Sequence, residues 1–184
     1  MIPANFNYHK ATSLKEAIAL SQKLGEEAKY MSGGHSLLPM MKLRFATPEH
    51  IIDISKIKGL SYIKEEGDLL KIGALTTQTE LEHNSNLKEN YPIFGDAVWL
   101  TADPSVRNCG TIGGNIAHGD AANDQPALML ALRATIIAEG VGGTKSIPID
   151  EFFHGFYMTA LEPGDILTEI QIPKAKKGSG GAYH

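Results

Sequence analysis

The apolar positions begin with a two-residue alternation and then change period. Phe6 and Tyr8 alternate like a short edge strand, and Leu14, Ala17, Ile18 and Leu24 then recur at helical spacing. Ser13 and Glu16 stand three apart, the spacing of a capping box, and Gly25 suits the left-handed residue that ends a helix. Ala28, Lys29, Tyr30 and Met31 predict a short strand that runs into Ser32-Gly33-Gly34-His35-Ser36. Residues 37–45 are apolar with Lys42 and Arg44 interleaved, which predicts one or two helical turns, and residues 50–54 read as a buried strand. Residues 1 to about 56 therefore predict a β-α-β lobe.

The pattern then changes. Residues 60–64 and 69–73 flank Glu65-Glu66-Gly67-Asp68, a hairpin signal. Thr77 and Glu80 give a second capping box that opens a helix towards His83, and residues 92–100 fit another with Pro92 in its first turn. Residues 101–124 are rich in Gly, Asn and Asp and lack periodicity, so they predict a long functional loop. Residues 126–134 are helical in composition. Residues 135–139, 145–149 and 166–172 read as strands, the last with Ile166, Thr168, Ile170 and Ile172 on one face. Residues 174–181 are linker-like.

Composition narrows the chemistry. The 184 residues are 42% hydrophobic and 21% charged, with a formal net charge of −4 and a single cysteine. One cysteine makes no internal disulfide and cannot hold an iron–sulfur cluster, which takes about four thiolates. A mildly acidic chain is poorly suited to nucleic acid, where basic groups supply most of the affinity. No apolar run approaches the roughly 18 residues of a membrane span, and residues 1–10 lack the shape of a signal peptide.

The 19 glycines are the high count, and two groups of them stand out. One is Ser32-Gly33-Gly34-His35-Ser36; the other is Gly110-Thr111-Ile112-Gly113-Gly114-Asn115. Paired glycines let a backbone approach a ligand closely and aim successive N–H groups at an anion such as a pyrophosphate. Alone, each pair equally marks a tight turn. Neither group has the Gly-Lys-Ser/Thr of a P-loop or the spacing of the Gly-x-Gly-x-x-Gly fingerprint. One group closes the first lobe and the other lies in the second, as expected for an elongated ligand held between lobes.

Ser32-Gly33-Gly34-His35-Ser36-Leu37-Leu38-Pro39-Met40-Met41-Lys42 and Asp103-Pro104-x-Val106-Arg107-Asn108-x-Gly110-Thr111-Ile112-Gly113-Gly114-Asn115-Ile116-Ala117-His118-Gly119-Asp120 resemble the two signatures of the FAD-binding medium subunits of molybdenum hydroxylases. The likeness is to the carbon monoxide dehydrogenase type, related to the flavin domain of xanthine dehydrogenase, and it runs from residue 1 to about 173.

The resemblance implies an α+β fold, a two-lobed FAD-binding domain of the vanillyl-alcohol-oxidase-like (PCMH-type) class. The FAD-binding domain would span 1–177, with lobes of about 1–56 and 57–177. Residues 178–184 would be linker and the start of a further C-terminal domain. Tyr30, Met31, Ser32, Gly33, Gly34, His35, Ser36 and Leu37 would wrap the pyrophosphate and adjoining parts of FAD. Thr111, Ile112, Gly113, Gly114 and Asn115 would form the second clamp, Asp124 would bind the ribityl chain, and Leu167 would meet the flavin ring through its backbone. FAD would be non-covalent, with no catalytic acid or base and no metal on this chain. Electrons would pass from [2Fe–2S] clusters on a small subunit, fed by a large molybdopterin subunit, through FAD to an external acceptor. The location would be cytoplasmic, alone or membrane-associated through the complex.

The remaining polar residues carry plainer readings beside functional ones. His118, Asp120 and Asp124 match no common metal spacing and suit loop hydrogen bonding; Asp124 also suits a helix N-terminus ahead of Pro126. His35 suits a phosphate contact or a surface turn. Arg107 suits anionic flavin, a docking partner or a surface ion pair. Met40, Met41 and Trp99 read as core, and Cys109 as a small buried residue. Two other classes fit the same chain: a self-contained flavoenzyme, and a non-catalytic nucleotide-binding module.

Overall fold

In the computed structural model, all residues except Lys177 and His184 are described; those two, at the expected domain boundary and at the chain end, lie outside the account. The first lobe holds β1 (Asn7–Lys10), α1 (Leu14–Leu24), β2 (Ala28–Met31), α2 (Leu37–Lys42) and β3 (His50–Asp53). Its sheet runs β1-β3-β2 with both pairs parallel, so β3 is central and Ile51 and Ile52 are fully buried. A short strand buried on both faces reads as an unbroken apolar run, as these residues do.

The cap of α1 is half of the predicted box. Ser13 Oγ accepts from the Glu16 N–H at 3.2 Å, but the Glu16 carboxylate reaches one residue further back, to the Thr12 N–H and hydroxyl. Those two bonds, the backbone one foremost, hold Glu16 below the usual carboxylate range. Helix α2 stops at Lys42, short of the predicted 45. Arg44 takes a left-handed φ of 60°, and the N–H groups of Arg44 and Phe45 turn back to the carbonyls of Met41 and Met40.

The second lobe begins with β4 (Ile63–Glu66) and β5 (Leu69–Gly73), followed by six helices. These are α3 (Gln78–His83), α4 (Ser85–Asn90), α5 (Pro92–Leu100), α6 (Pro104–Arg107), α7 (Ile112–His118) and α8 (Asp124–Ala131). Strands β6 (Thr135–Gly140) and β7 (Gly143–Pro148) come next, then the small hairpin β8 (Phe153–Gly155) and β9 (Met158–Thr159), and finally β10 (Ile166–Pro173). The antiparallel order is β4-β5-β10-β6-β7. At α3 the capping box is complete, Thr77 and Glu80 each holding the other's N–H.

The segment 101–124 is more ordered than its composition predicts. It contains α6 and α7, started by Asp103 and Thr111 as side-chain caps. Helices of four and seven residues are too short to leave a visible period. Strand β10 also departs from simple alternation. Thr168 forms a bulge against β6, since Leu167 pairs with Ala138 and Glu169 with Ile137. The extra residue brings Leu167 into one core with Ile170 and Ile172, while Ile166 enters another.

That main core lies between the five-stranded sheet and the helices, with Phe94, Ile112, Ile116, Leu128 and Phe152 among its fully buried members. The smaller core joins Ala11, Ala17, Ile52 and Ile54 of the first lobe to Leu75 and Ile166 of the second. Ile57 and Leu60 pack there too, so the lobes share apolar contact beyond the predicted break near 56. Trp99 is 69% exposed and Cys109 is exposed, against the expectation that both are buried. No helix among the described residues is long and apolar enough to cross a membrane.

Candidate functional site in the cleft between lobes

A cleft of about 1230 Å³ separates the two lobes, above the roughly 300–1,000 Å³ of common small-molecule sites. Tyr30, Met31, Ser32, Gly33, Gly34, His35, Ser36 and Leu37 line it from the first lobe; Thr111, Gly113, Gly114, Asn115, Asp124 and Leu167 line it from the second. Ile112 does not. Its side chain is fully buried in the main core, because the residue after the Thr111 cap faces the sheet.

The two glycine groups touch each other. Ser32 Oγ and Thr111 Oγ1 are 3.0 Å apart. A Cβ at Gly33 would lie 2.1 Å from the Cys109 carbonyl oxygen, and one at Gly114 would lie 2.6 Å from Ser32 Oγ. Gly113 is packed against β5's end in the same way, its Cβ position being 2.5 Å from that of Ala74. Gly34 has φ +73°, the left-handed region that favours glycine. These glycines allow chain to meet chain before any ligand is considered.

Their backbone donors differ. Among the described residues, the N–H groups of Ser32, Gly33, Gly34, His35 and Ser36 donate to no protein acceptor. His35 steadies the loop from outside, its exposed ring bonding the Gly33 carbonyl at 2.7 Å. Across the cleft the Ile112 N–H goes to Thr76 O at 3.0 Å and the Gly113 N–H to Ala74 O at 2.9 Å. The Gly114 N–H goes to Thr111 Oγ1 at 3.1 Å and the Asn115 N–H to Thr111 O at 3.0 Å. The expected pair of backbone clamps is thus one loop of open donors and one closed helical turn that presents side chains.

Other groups complete the second wall. Asp124 sits in the first turn of α8 and accepts a hydrogen bond from the Tyr183 hydroxyl at 2.8 Å. Strand β5 leaves β10 at the Gly73–Glu169 pair, so Ile166 and Leu167 keep a strand neighbour on the β6 side only. Their other backbone edge ends in the cleft they line. Burial pushes the His118 imidazole below its ordinary value, against the pull of Asp120. Its ring meets Tyr157 edge-on at 5.0 Å, and the Tyr157 hydroxyl donates to Asp120 Oδ2 at 3.3 Å. The Asp120 charge in turn raises the Tyr157 phenol. No group of three or more His, Cys, Asp or Glu able to hold a metal occurs among the described residues.

Arg107 serves neither a ligand nor the surface. It is 7% exposed; Nε pairs with Glu82 at 3.1 Å, and Nη1 donates to the carbonyls of Thr101 and Ala102 at 3.1 and 3.0 Å. The guanidinium fork thereby fixes a corner that lines the cleft, where Ala102 has a left-handed φ of 49°. Sequence reasoning missed that corner, and also missed Ala74, Leu75 and Gln78 on the same wall. Only Gln78 had a nearby signal, the capping box of Thr77 that precedes it.

The open donors and close backbone approach fit an anionic, elongated nucleotide, and the comparisons agree. The family described as "FAD binding domain in molybdopterin dehydrogenase" matches residues 4–175. The carbon monoxide dehydrogenase medium chain of Hydrogenophaga pseudoflava is 50% identical over 183 residues, covering 100% of this chain and 64% of that one. A solved carbon monoxide dehydrogenase of the same organism, lacking the Mo-pyranopterin moiety of its cofactor, superposes with a TM-score of 0.94 over 97% of this chain and 62% of its own. Quinoline 2-oxidoreductase of Pseudomonas putida 86 follows at 31% identity and a TM-score of 0.91, over 95% and 61%. This chain therefore spans somewhat less than two thirds of the relatives it matches.

Proposed function

We propose, for a chain that belongs to the family of FAD-binding domains in molybdopterin dehydrogenases, that the cleft holds FAD non-covalently and serves electron transfer in a molybdenum hydroxylase of the carbon monoxide dehydrogenase type. The observation that carries this reading is the run of five N–H groups at residues 32–36 that find no protein acceptor among the described residues, in a loop that lines a cleft of about 1230 Å³. A diphosphate accepts hydrogen bonds and donates none, so it matches a surface of donors alone.

Each wall then has its task. Residues 32–36 hold the diphosphate, and Ser32 with Thr111 fixes the spacing between walls. Asp124 would accept from ribityl hydroxyls through the carboxylate lone pairs that the Tyr183 hydroxyl leaves open. The free backbone edge at Leu167 takes the polar edge of a planar ring, while Tyr30, Met31 and Leu37 cover the ligand's flank and exclude water. Bound FAD supplies one- and two-electron chemistry that no side chain here provides. No residue of this chain is assigned as an acid or base for that chemistry.

In the assembly we infer, a small [2Fe–2S] subunit delivers electrons and a large molybdopterin subunit oxidises the substrate. Residues 1–177 act as the flavin domain, with Tyr183 packed back on it, and the complex is cytoplasmic. Purified chain is expected to be yellow and to release free FAD on acid treatment. Colourless protein that takes up no added FAD would sink the reading. Co-purification with molybdenum and iron–sulfur subunits checks the assembly; recovery of the chain alone, active on an organic substrate, would favour a self-contained flavoenzyme.

A further inference from the structure

Three buried side-chain polar atoms lack a hydrogen-bond partner among the described residues: Gln78 Nε2, Asn115 Oδ1 and Gln125 Oε1. All three belong to the second lobe's side of the cleft. Gln78 opens α3, and its own N–H donates to Gly110 O at 2.9 Å, beside the Thr111 cap. Asn115 lies in the middle of α7, and Gln125 follows Asp124 in the first turn of α8.

Gln78 and Gln125 are 2% and 0% exposed and share a single hydrogen bond, Gln125 Nε2 to Gln78 Oε1 at 3.0 Å. Turning both amides over reverses that bond and still leaves one polar atom unpaired on each. Buried side-chain amides left half satisfied are exceptions in folded proteins and call for a partner. Gln78 and Asn115 line the cleft, so a partner can arrive from there.

We propose that Gln78 is a further ligand-contacting residue, which meets the hydroxyl-bearing ribityl part of the nucleotide directly or through one trapped water, and that Gln125 positions it from behind. The proposal rests on the flavin reading of the cleft. Its chemistry follows from the two walls. A polyol both donates and accepts, and amides and a carboxylate offer both complements; Gln78, Asn115 and Asp124 supply that mixture. A diphosphate only accepts, and it is served by the loop opposite. No Lys or Arg of the second lobe lines the cleft, so that wall suits a neutral segment.

The test is FAD titration of flavin-free chain, followed by flavin fluorescence, with 5′-ADP as displacing probe. Gln78→Met and Gln125→Met keep the volume and remove the polar atoms. In Gln78→Met the FAD Kd is expected to rise about tenfold, the scale of a lost hydrogen bond to a buried group, and in Gln125→Met by about half that factor on a logarithmic scale. The Kd of 5′-ADP itself, obtained from displacement after allowing for the weaker FAD, should be unchanged. The melting temperature of flavin-free chain falls in both variants, because the remaining glutamine loses its one hydrogen bond, so the split between FAD and ADP affinity carries the test. Should Gln78→Met fail to fold, the isosteric Gln78→Glu takes the same pair of readings. Unchanged FAD affinity, or equal weakening of FAD and ADP, overturns the proposal and leaves a structural amide pair. Wild-type chain that takes no FAD overturns the flavin reading beneath it, a distinct result.

Discussion

The loop at residues 32–36 and the turn at residues 111–115 both carry paired glycines, and the structure uses them in opposite ways. In the loop, five consecutive N–H groups have no protein partner among the described residues. In the turn, four consecutive N–H groups are taken, two by the carbonyls of Ala74 and Thr76 that follow β5. Gly113 makes that docking possible, since any side chain there would strike Ala74. Paired glycines thus mark a close approach of backbone, and the neighbour that approaches decides whether the site is left for a ligand or filled by protein. The loop is a place for charge; the turn is a brace that presents Thr111 and Asn115 to the same cleft.

Substitutions that separate the two roles should rank accordingly. Gly33→Val is expected to have the largest effect, because its Cβ would sit 2.1 Å from the Cys109 backbone oxygen, so backbone rather than a flexible side chain would have to shift. Overpacking of this kind costs about 1–3 kcal/mol or more, so melting should fall by several degrees and bound flavin should vanish. Gly34→Ala comes next. A left-handed alanine costs about 1–2 kcal/mol, and the displaced amides should weaken FAD more than they lower the melting temperature; equal effects would deny the loop its donor role.

Thr111→Val tests the brace. It removes the cap on Gly114 N–H and the bond to Ser32; an N-cap is worth about 1 kcal/mol. For a chain of this size that lowers melting by about 2–4 °C. FAD should weaken only severalfold, through the shifted Ser32, and total loss would return the turn to the rank of a primary clamp.

The smallest effect concerns the far end of α7. Burial holds the His118 imidazole below its ordinary 6.5. The unfolded chain therefore takes up this proton first as pH falls, so the contribution to stability is full above about 6.5 and is lost as pH drops through the lower folded value. His118→Gln should flatten the decline in melting temperature between about pH 7.5 and pH 5.5. An unchanged slope would mean that His118 is solvated when folded.

Local signals carried much of this fold. The helix over residues 14–24 and the turn that ends it followed from Ser13, a spaced apolar stripe and Gly25, all within a dozen positions. The capping box of Thr77 and the strand of residues 50–53 were legible for the same reason. Failures came where the deciding neighbour was distant in sequence. Arg107 is buried because Glu82 and two carbonyls converge on it, and Cys109 is exposed although its carbonyl abuts Gly33. Trp99 lies on the outer face of α5, and one bulge at Thr168 re-sorted the faces of β10.

The sequence by itself determined where backbone could come close, since only glycine lacks the Cβ that forbids it, and it marked both walls of the cleft by two long signatures. It also excluded an iron–sulfur cluster on this chain, by cysteine count alone. Only the tertiary structure decided which N–H groups remain open and that Ile112 turns into the core. It alone showed that side-chain amides of α3, α7 and α8 each keep a buried polar atom without a partner among the described residues, and that those of α3 and α8 pair with each other. Hydrogen-bond satisfaction is a property of pairs. The partners of the Ile112 and Gly113 N–H groups, and the two members of the Gln78–Gln125 pair, lie tens of residues apart, beyond the reach of any local pattern.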